Sequence, residues 1–258
     1  MIERKPHRGI LPATVGIGAL LLAWYLVCTS GLVNAYVLPS PEKVLRTLMK
    51  MTASGELLSD IAVSLRRVFR GFSIAFVLAF LLAALRTAFP KSEAFYRWPV
   101  RFLRGVPPIS LIPLLILWCG IGETTKTVII VLASFFPMYL SITKGFASCD
   151  PGLLEVARSF RYGRARTFFF VTLPSSVPDI LVGMRTSLGY AWRAIIGAEM
   201  VAASTGLGHM ILFAQQMSRT DKVIAGILVI GLTGALTDWL LGLLIRRFAG
   251  GTAGNGWD

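Results

Sequence analysis

The sequence predicts an all-α, polytopic membrane protein with six transmembrane helices, and three observations predict it. Hydrophobic residues make up 55% of the 258 residues and charged residues only 15%, against roughly 25% charged in soluble domains. The apolar residues gather in runs long enough for a bilayer core, which takes about 20 residues of helix to cross. The charge that remains is basic, 26 Lys and Arg against 13 Asp and Glu, and it lies mostly between the runs. That composition excludes a disordered chain. The spans exclude a nucleic-acid binder, so the net charge of +13 reads mainly as membrane topology. Cys28, Cys119 and Cys149 lie far apart without CxxC spacing; they read as small packing residues, with no disulfide framework or metal site.

The first span is Ile10 to Ser30. Its basic start (Arg4, Lys5, Arg8) resembles a signal peptide, but the apolar stretch is longer than a signal core and no small-x-small site follows, so a retained anchor is expected. An external loop over 32–63 contains Leu38-Pro39-Ser40-Pro41. Serine followed by proline is a helix start, and Val44, Leu45, Leu48 and Met49 then recur at helical spacing up to Met51. This is a short interfacial helix that orients the chain at the membrane surface or meets an external partner. The second span runs from Ser64 to Leu85 and the third from about Val106 to Cys119. Pro107, Pro108 and Pro113 make the third irregular and place it among neighbouring helices. The fourth is Thr124 to Lys144, the fifth Pro178 to Ala203 and the sixth Val223 to Ile245, within a core of 64–248 between the tails 1–9 and 249–258.

Orientation follows from Lys and Arg near the span ends. The tails and the loops after spans two and four carry fifteen, and the opposite side carries nine. Both termini are therefore expected in the cytoplasm. Arg66, Arg67 and Arg70 crowd the outer start of span two, where they face a water-filled vestibule or snorkel to headgroups.

The cytoplasmic loop 150–178 is more than a turn. Asp150-Pro151 is a helix start, and Leu153, Val156, Ala157 and Phe160 recur at i, i+3, i+4 and i+7 with Arg158 and Arg161 on another face. A free helix this short is marginal in water, so its apolar strip needs cover: the chain's own inner helices, lipid headgroups or a partner. Pro174 and Pro178 are expected to end the segment.

Glu155-Val156-Ala157 followed by Val171, Leu173 and Pro174 resembles the EAA loop of ATP-binding cassette importer permeases, E-A-A-x3-G-x9-I-x-L-P. Val156 replaces the middle alanine. Arg161 stands at the glycine position and Gly163 follows two residues later, so a turn displaced by a residue or two is expected. The resemblance extends to Gly105-Val106-Pro107-Pro108-Ile109, Ala198-Glu199-Met200 and Gly206-Leu207-Gly208, which are similar to the taurine, alkanesulfonate and nitrate branch.

The resemblance implies a MetI-like, type I importer core in a bacterial inner membrane. It also implies two cytoplasmic ATPase subunits that use ATP and Mg, a periplasmic substrate-binding protein, and a second copy of the permease as a homodimer. The chain itself would bind no cofactor and catalyse nothing. Glu155 would be the polar contact to the ATPase, Ala157 a close-packing position, and Leu153, Val156 and Phe160 buried anchors; the Pro174 break would join this helix to span five. The substrate would be an organic sulfonate such as taurine or a similar small anion, with nitrate, bicarbonate, an aromatic acid or a vitamin precursor as alternatives.

Charges inside spans are candidate pathway residues. Arg185 and Arg193 lie eight apart on span five, roughly one helix face, and Glu199 lies near its outer end. The two arginines attract an anion, or these charges pair internally or snorkel. A membrane enzyme is disfavoured by the absence of HExxH, GxSxG, P-loop or paired-carboxylate motifs. A secondary transporter would often show two repeated halves, which this sequence lacks.

Overall fold

A computed structural model describes the backbone of residues 10–31 and 33–248, with side chains over 15–31, 33–245 and at 247. Arg4, Lys5, Arg8 and the side chain of Arg246, which contributed to the orientation, lie outside the described residues. Everything regular among the described residues is helical. The chain divides into two compact units, one of residues up to Ser59 with Met210–Ile230 and one of Asp60–His209 with residues from Gly231 on.

In the first unit, α1 (Ile10–Thr29) exposes Val15, Ile17, Leu20, Leu22 and Leu26, as a lipid-facing helix does. Its last turns are fastened to the following loop: Trp24 Nε1 donates to the Pro39 carbonyl at 3.2 Å. α2 (Pro41–Ala53) starts as the sequence indicates, with Pro41 in the first turn and Ser40 Oγ accepting from the Lys43 amide. Its inward face is Val44, Thr47 and Met51, while Leu45 and Met49 are exposed. Thr47 takes an inward place because its hydroxyl donates to Asp221 Oδ2 at 2.7 Å; Arg219 grips the same carboxylate at 2.8 and 2.9 Å. Gly226 lets Met210 and Ile211 approach within 2.8 Å of where its Cβ would stand.

The second unit is built around the long contact of α6 (Glu123–Ala147) with α9 (Leu173–Ala202). Small residues permit it, as in membrane helix packing generally: a Cβ on Gly183 would collide with Ser141, and one on Gly145 would lie 3.0 Å from Ser176 and Asp179. Gly71 admits Ile130, Gly197 admits Ile109 and Gly234 admits Trp192. Gly189, Gly231 and Gly242 meet nothing within 4 Å. The unit also holds α4 (Glu93–Gly105), α5 (Ile112–Cys119), α7 (Pro151–Ser159) and α8 (Arg164–Thr167).

Four described helical stretches are long and apolar enough to cross a membrane: α3 (Glu56–Ala88), α6, Arg164–Ala202 and Thr220–Ile245 of α11 (Thr220–Phe248). The expected third span is a pair, Pro90–Gly105 and Pro108–Cys119, bent by 95°. Pro107 and Pro108 supply the break, because proline forbids a helical residue before it and an amide donor at it. With α1 these elements are compatible with the six expected spans. The second span is longer than expected: α3 has 33 residues, about 50 Å of helix. α10 (Leu207–Gln216) leads into α11.

Candidate functional site

The loop of interest begins on α7. Asp150 caps it, Oδ1 accepting from the Gly152 amide at 2.8 Å, with Pro151 in the first turn. Ala157 is buried at 3% exposure, whereas Leu153, Val156 and Phe160 are 49%, 53% and 72% exposed. The apolar strip therefore splits. Ala157 faces the chain's own body, where α7 packs on residues 168–172, and the three larger side chains are left uncovered by the described residues. Glu155 lies exposed beside them.

The turn that ends α7 is not displaced toward Gly163, contrary to expectation. Arg161 itself adopts φ 55°, the left-handed conformation that favours glycine. Its amide donates to the Arg158 carbonyl at 2.8 Å and that of Tyr162 to the Ala157 carbonyl at 2.9 Å, the paired bonds of a Schellman ending. Gly163 has φ −67° and precedes α8. The turn stays at the motif's glycine position because these carbonyls need their donors there. Arg166 stacks over the Tyr162 ring at 4.8 Å.

The expected break at Pro174 and end at Pro178 are also corrected. Helix runs from Arg164 through Ala202, with a π-helical turn at Phe168–Thr172. Proline clashes with the carbonyl four residues back and lacks an amide; a wider turn immediately before Pro174 relieves both without ending the helix. Pro178 lies inside α9. Leu173 is half-buried and Pro174 exposed.

Of the charged residues in span five, Arg185 is paired: its Nε and Nη2 donate to the two Asp238 oxygens at 2.8 and 2.6 Å. Arg193 is exposed and lies 5.7 Å from the Tyr190 ring. Glu199 lines no open path. It is 0% exposed, and its carboxylate accepts from Ser64 Oγ at 2.8 Å, Arg67 Nη1 at 2.8 Å and the Gly208 amide at 3.0 Å.

Glu199 is part of an ionic knot that sequence reasoning missed, buried except at Glu123, whose side chain is 50% exposed. Arg67 is 7% and Lys126 3% exposed, so neither stands in a vestibule or reaches headgroups. Arg67 gives Nε and Nη2 to Glu123 at 2.9 and 2.7 Å, Nη1 to Glu199, and its remaining N–H groups to the Thr205 carbonyl at 2.7 Å and hydroxyl at 3.1 Å. That uses all five guanidinium donors. Lys126 Nζ donates to Glu123 Oε1 at 2.6 Å, so two cations meet two carboxylates. The Gly206-Leu207-Gly208 segment is the cradle. Gly206 has φ +108° and a Cβ there would strike the Glu199 carboxylate; one on Gly208 would strike the Ile196 carbonyl. Asp60 Oδ1 accepts from the Gly206 amide at 2.9 Å, and Ser64 Oγ from that of Leu207 at 3.0 Å. The sequence signals were Ser64-x-x-Arg67 and Glu123-x-x-Lys126, each one helical turn apart.

Membrane-length helices with a capped, partly uncovered amphipathic helix leading into one of them define a polytopic helical membrane protein. Residues 75–250 match the family described as the binding-protein-dependent transport system inner membrane component, and the chain belongs to that family of ATP-binding cassette importer permeases. It is 34% identical over 249 residues to the putative aliphatic sulfonates transport permease protein SsuC of Bacillus subtilis, covering 95% of this chain and 90% of that protein. It is likewise 34% identical over 242 residues to the taurine transport system permease protein TauC of Escherichia coli, covering 91% and 88%. In fold it is similar to a chain of an amino acid ABC transporter crystallised with histidines (TM-score 0.64, 19% identity, 78% of this chain and 98% of that one). It is also similar to a chain of the inward-facing MetNI methionine ABC transporter (TM-score 0.55, 16% identity, 76% and 97%).

Proposed function

We propose that this permease forms the translocation pathway for a small organic sulfonate, taurine or a similar small anion, delivered by an external binding protein. Two separate ATPase subunits drive it with ATP and Mg, and two copies of the chain make the pathway, with both termini in the cytoplasm. The observation that carries this reading is α7. It presents Leu153, Val156 and Phe160 exposed beside Glu155 while Ala157 holds it to residues 168–172. An uncovered apolar strip beside a carboxylate suits a groove on a partner, and helix continuous from Arg164 to Ala202 links that contact to a spanning segment. The relatives' names, aliphatic sulfonates and taurine, support the anion.

The test is Glu155→Lys and Ala157→Leu in the complex of permease, ATPase and binding protein. Both variants should insert in the membrane yet lose uptake and ATPase co-purification. Full uptake with wild-type co-purification would defeat the proposal. Native mass spectrometry of the detergent-solubilised complex should give two identical permease chains; two different ones would overturn the homodimer.

A further inference from the structure

We propose that a cleft of about 330 Å³ between the bend after α4, α6 and α9, lined by Arg104, Arg193, Tyr190, Phe136, Leu132 and Pro108, is a station that binds the transported anion by its sulfonate or carboxylate head. The proposal rests on the reading of the chain as an anion permease and adds where in the chain the anion is held.

Three features carry it. The first is charge. No Asp or Glu lines the cleft, and among the described residues neither Arg104 nor Arg193 has a carboxylate in ion-pair reach. Arg67, Lys126 and Arg185, by contrast, are matched with Glu123, Glu199 and Asp238. An arginine within a spanning helix is costly and needs a counter-charge or a water-filled space; here the protein supplies space and no counter-charge. The second is chemistry. Guanidinium groups present forked donors that match the oxygens of a sulfonate or carboxylate. Phe136, Leu132 and Pro108 add an apolar wall for a short carbon chain. The third is size, since about 330 Å³ lies near the lower end of small-ligand cavities and suits a molecule of a few heavy atoms. Arg193 is exposed and lies 5.7 Å from the Tyr190 ring, so its head group is positioned but not consumed.

The test reads the charge of the cleft directly. Leu132→Cys is introduced into a chain whose Cys28, Cys119 and Cys149 are replaced by alanine, and the assembled importer is placed in nanodiscs so both faces are open. Reaction rates are compared for two methanethiosulfonates, one bearing ethylsulfonate and one bearing ethyltrimethylammonium. The anionic reagent is expected to react about tenfold faster relative to the cationic one than at a cysteine placed at exposed Ser218, the field of two nearby guanidiniums setting that scale. R104Q/R193Q should abolish the preference, and Arg193→Lys should keep it, which a merely structural role would not do. An anion preference unchanged by R104Q/R193Q, no preference, or no reaction with either reagent would overturn the assignment. Uptake of labelled taurine by proteoliposomes is the separate arm. Anion preference in the cleft without anion uptake defeats the import reading and leaves the site standing, whereas wild-type uptake by R104Q/R193Q defeats the site and leaves the import reading standing.

Discussion

Arg67→Ala tests the buried knot. The substitution removes five donors at once, so two carboxylates are left with the single cation Lys126. Glu199 keeps Ser64 and the Gly208 amide but stays fully enclosed at 0% exposure. The Thr205 carbonyl and hydroxyl lose their partner as well. Glu123 is half-exposed and regains water, but breaking the buried Arg67–Glu199 pair from one side costs about 3–5 kcal/mol, because the stranded Glu199 charge has no water to return to. At roughly 2–4 °C per kcal/mol for a chain of this size, thermal unfolding of the detergent-solubilised permease should fall by about 6–20 °C. Glu199→Gln should also destabilise, since its amide group must point N–H at either the Arg67 or the Gly208 N–H. The R67M/E199Q double variant should lose less than the sum of the single variants, by more than about 1 kcal/mol, because it removes both charges together. An Arg67→Ala protein melting within about 2 °C of wild type, or strict additivity in the double variant, would refute the reasoning.

Arg161→Gly should strengthen the end of α7 by about 1 kcal/mol, since glycine adopts φ 55° without the clash a side chain meets; slower amide exchange at Tyr162, whose bond to Ala157 closes the turn, is the measurement, and Arg161→Val should speed it. Gly183→Leu should lower the melting temperature by driving a side chain into Ser141 across the α6–α9 contact, an overpacking cost of about 1–3 kcal/mol. Gly183→Ala combined with Ser141→Gly should restore most of what Gly183→Ala alone loses. Asp238→Asn should impair membrane insertion or stability more than the double neutralisation R185Q/D238N, because the single change leaves Arg185 without the carboxylate it grips at 2.6 Å; equal losses, measured as folded protein per membrane, would argue against that pair.

The features legible in the sequence are those that chemistry fixes over a few residues. Asp150-Pro151 starts a helix because an aspartate oxygen reaches an amide two residues on, and Ser40-Pro41 starts one because the serine oxygen reaches an amide three residues on. Long apolar runs give spans because a bilayer accepts little else. What was illegible depends on distance or on neighbours. Pro174 reads as a break locally, yet a π turn before it keeps the helix intact, and that turn is packed against α7. Arg161 reads as a lost glycine, yet the carbonyls of Ala157 and Arg158 hold the turn in place. Arg67 and Glu199 lie 132 residues apart, so the sequence offers Arg67 only as a charge near a span end. Basic residues counted for orientation are accordingly not equivalent: Arg67 and Lys126 serve the interior, and the charge they bring is cancelled by Glu123 and Glu199.

The two halves of the site are joined by one helix. α9 has 30 residues, about 45 Å of helix. The π turn against which α7 packs precedes its first residue, and Glu199 lies in its last turn. Between them, Gly183 is seated on Ser141 and Gly145 on Ser176, contacts too close for α9 to slide along α6 without clashing. Sliding along α6 therefore does not absorb a displacement of α7, and α6 and α9 are expected to move together. The knot is where that pair is tied to α3, through Ser64 and Arg67. A charge-neutral tie whose bonds are all directional has few intermediate arrangements: it holds or it lets go. Packed interfaces of this kind convert small shifts into discrete ones.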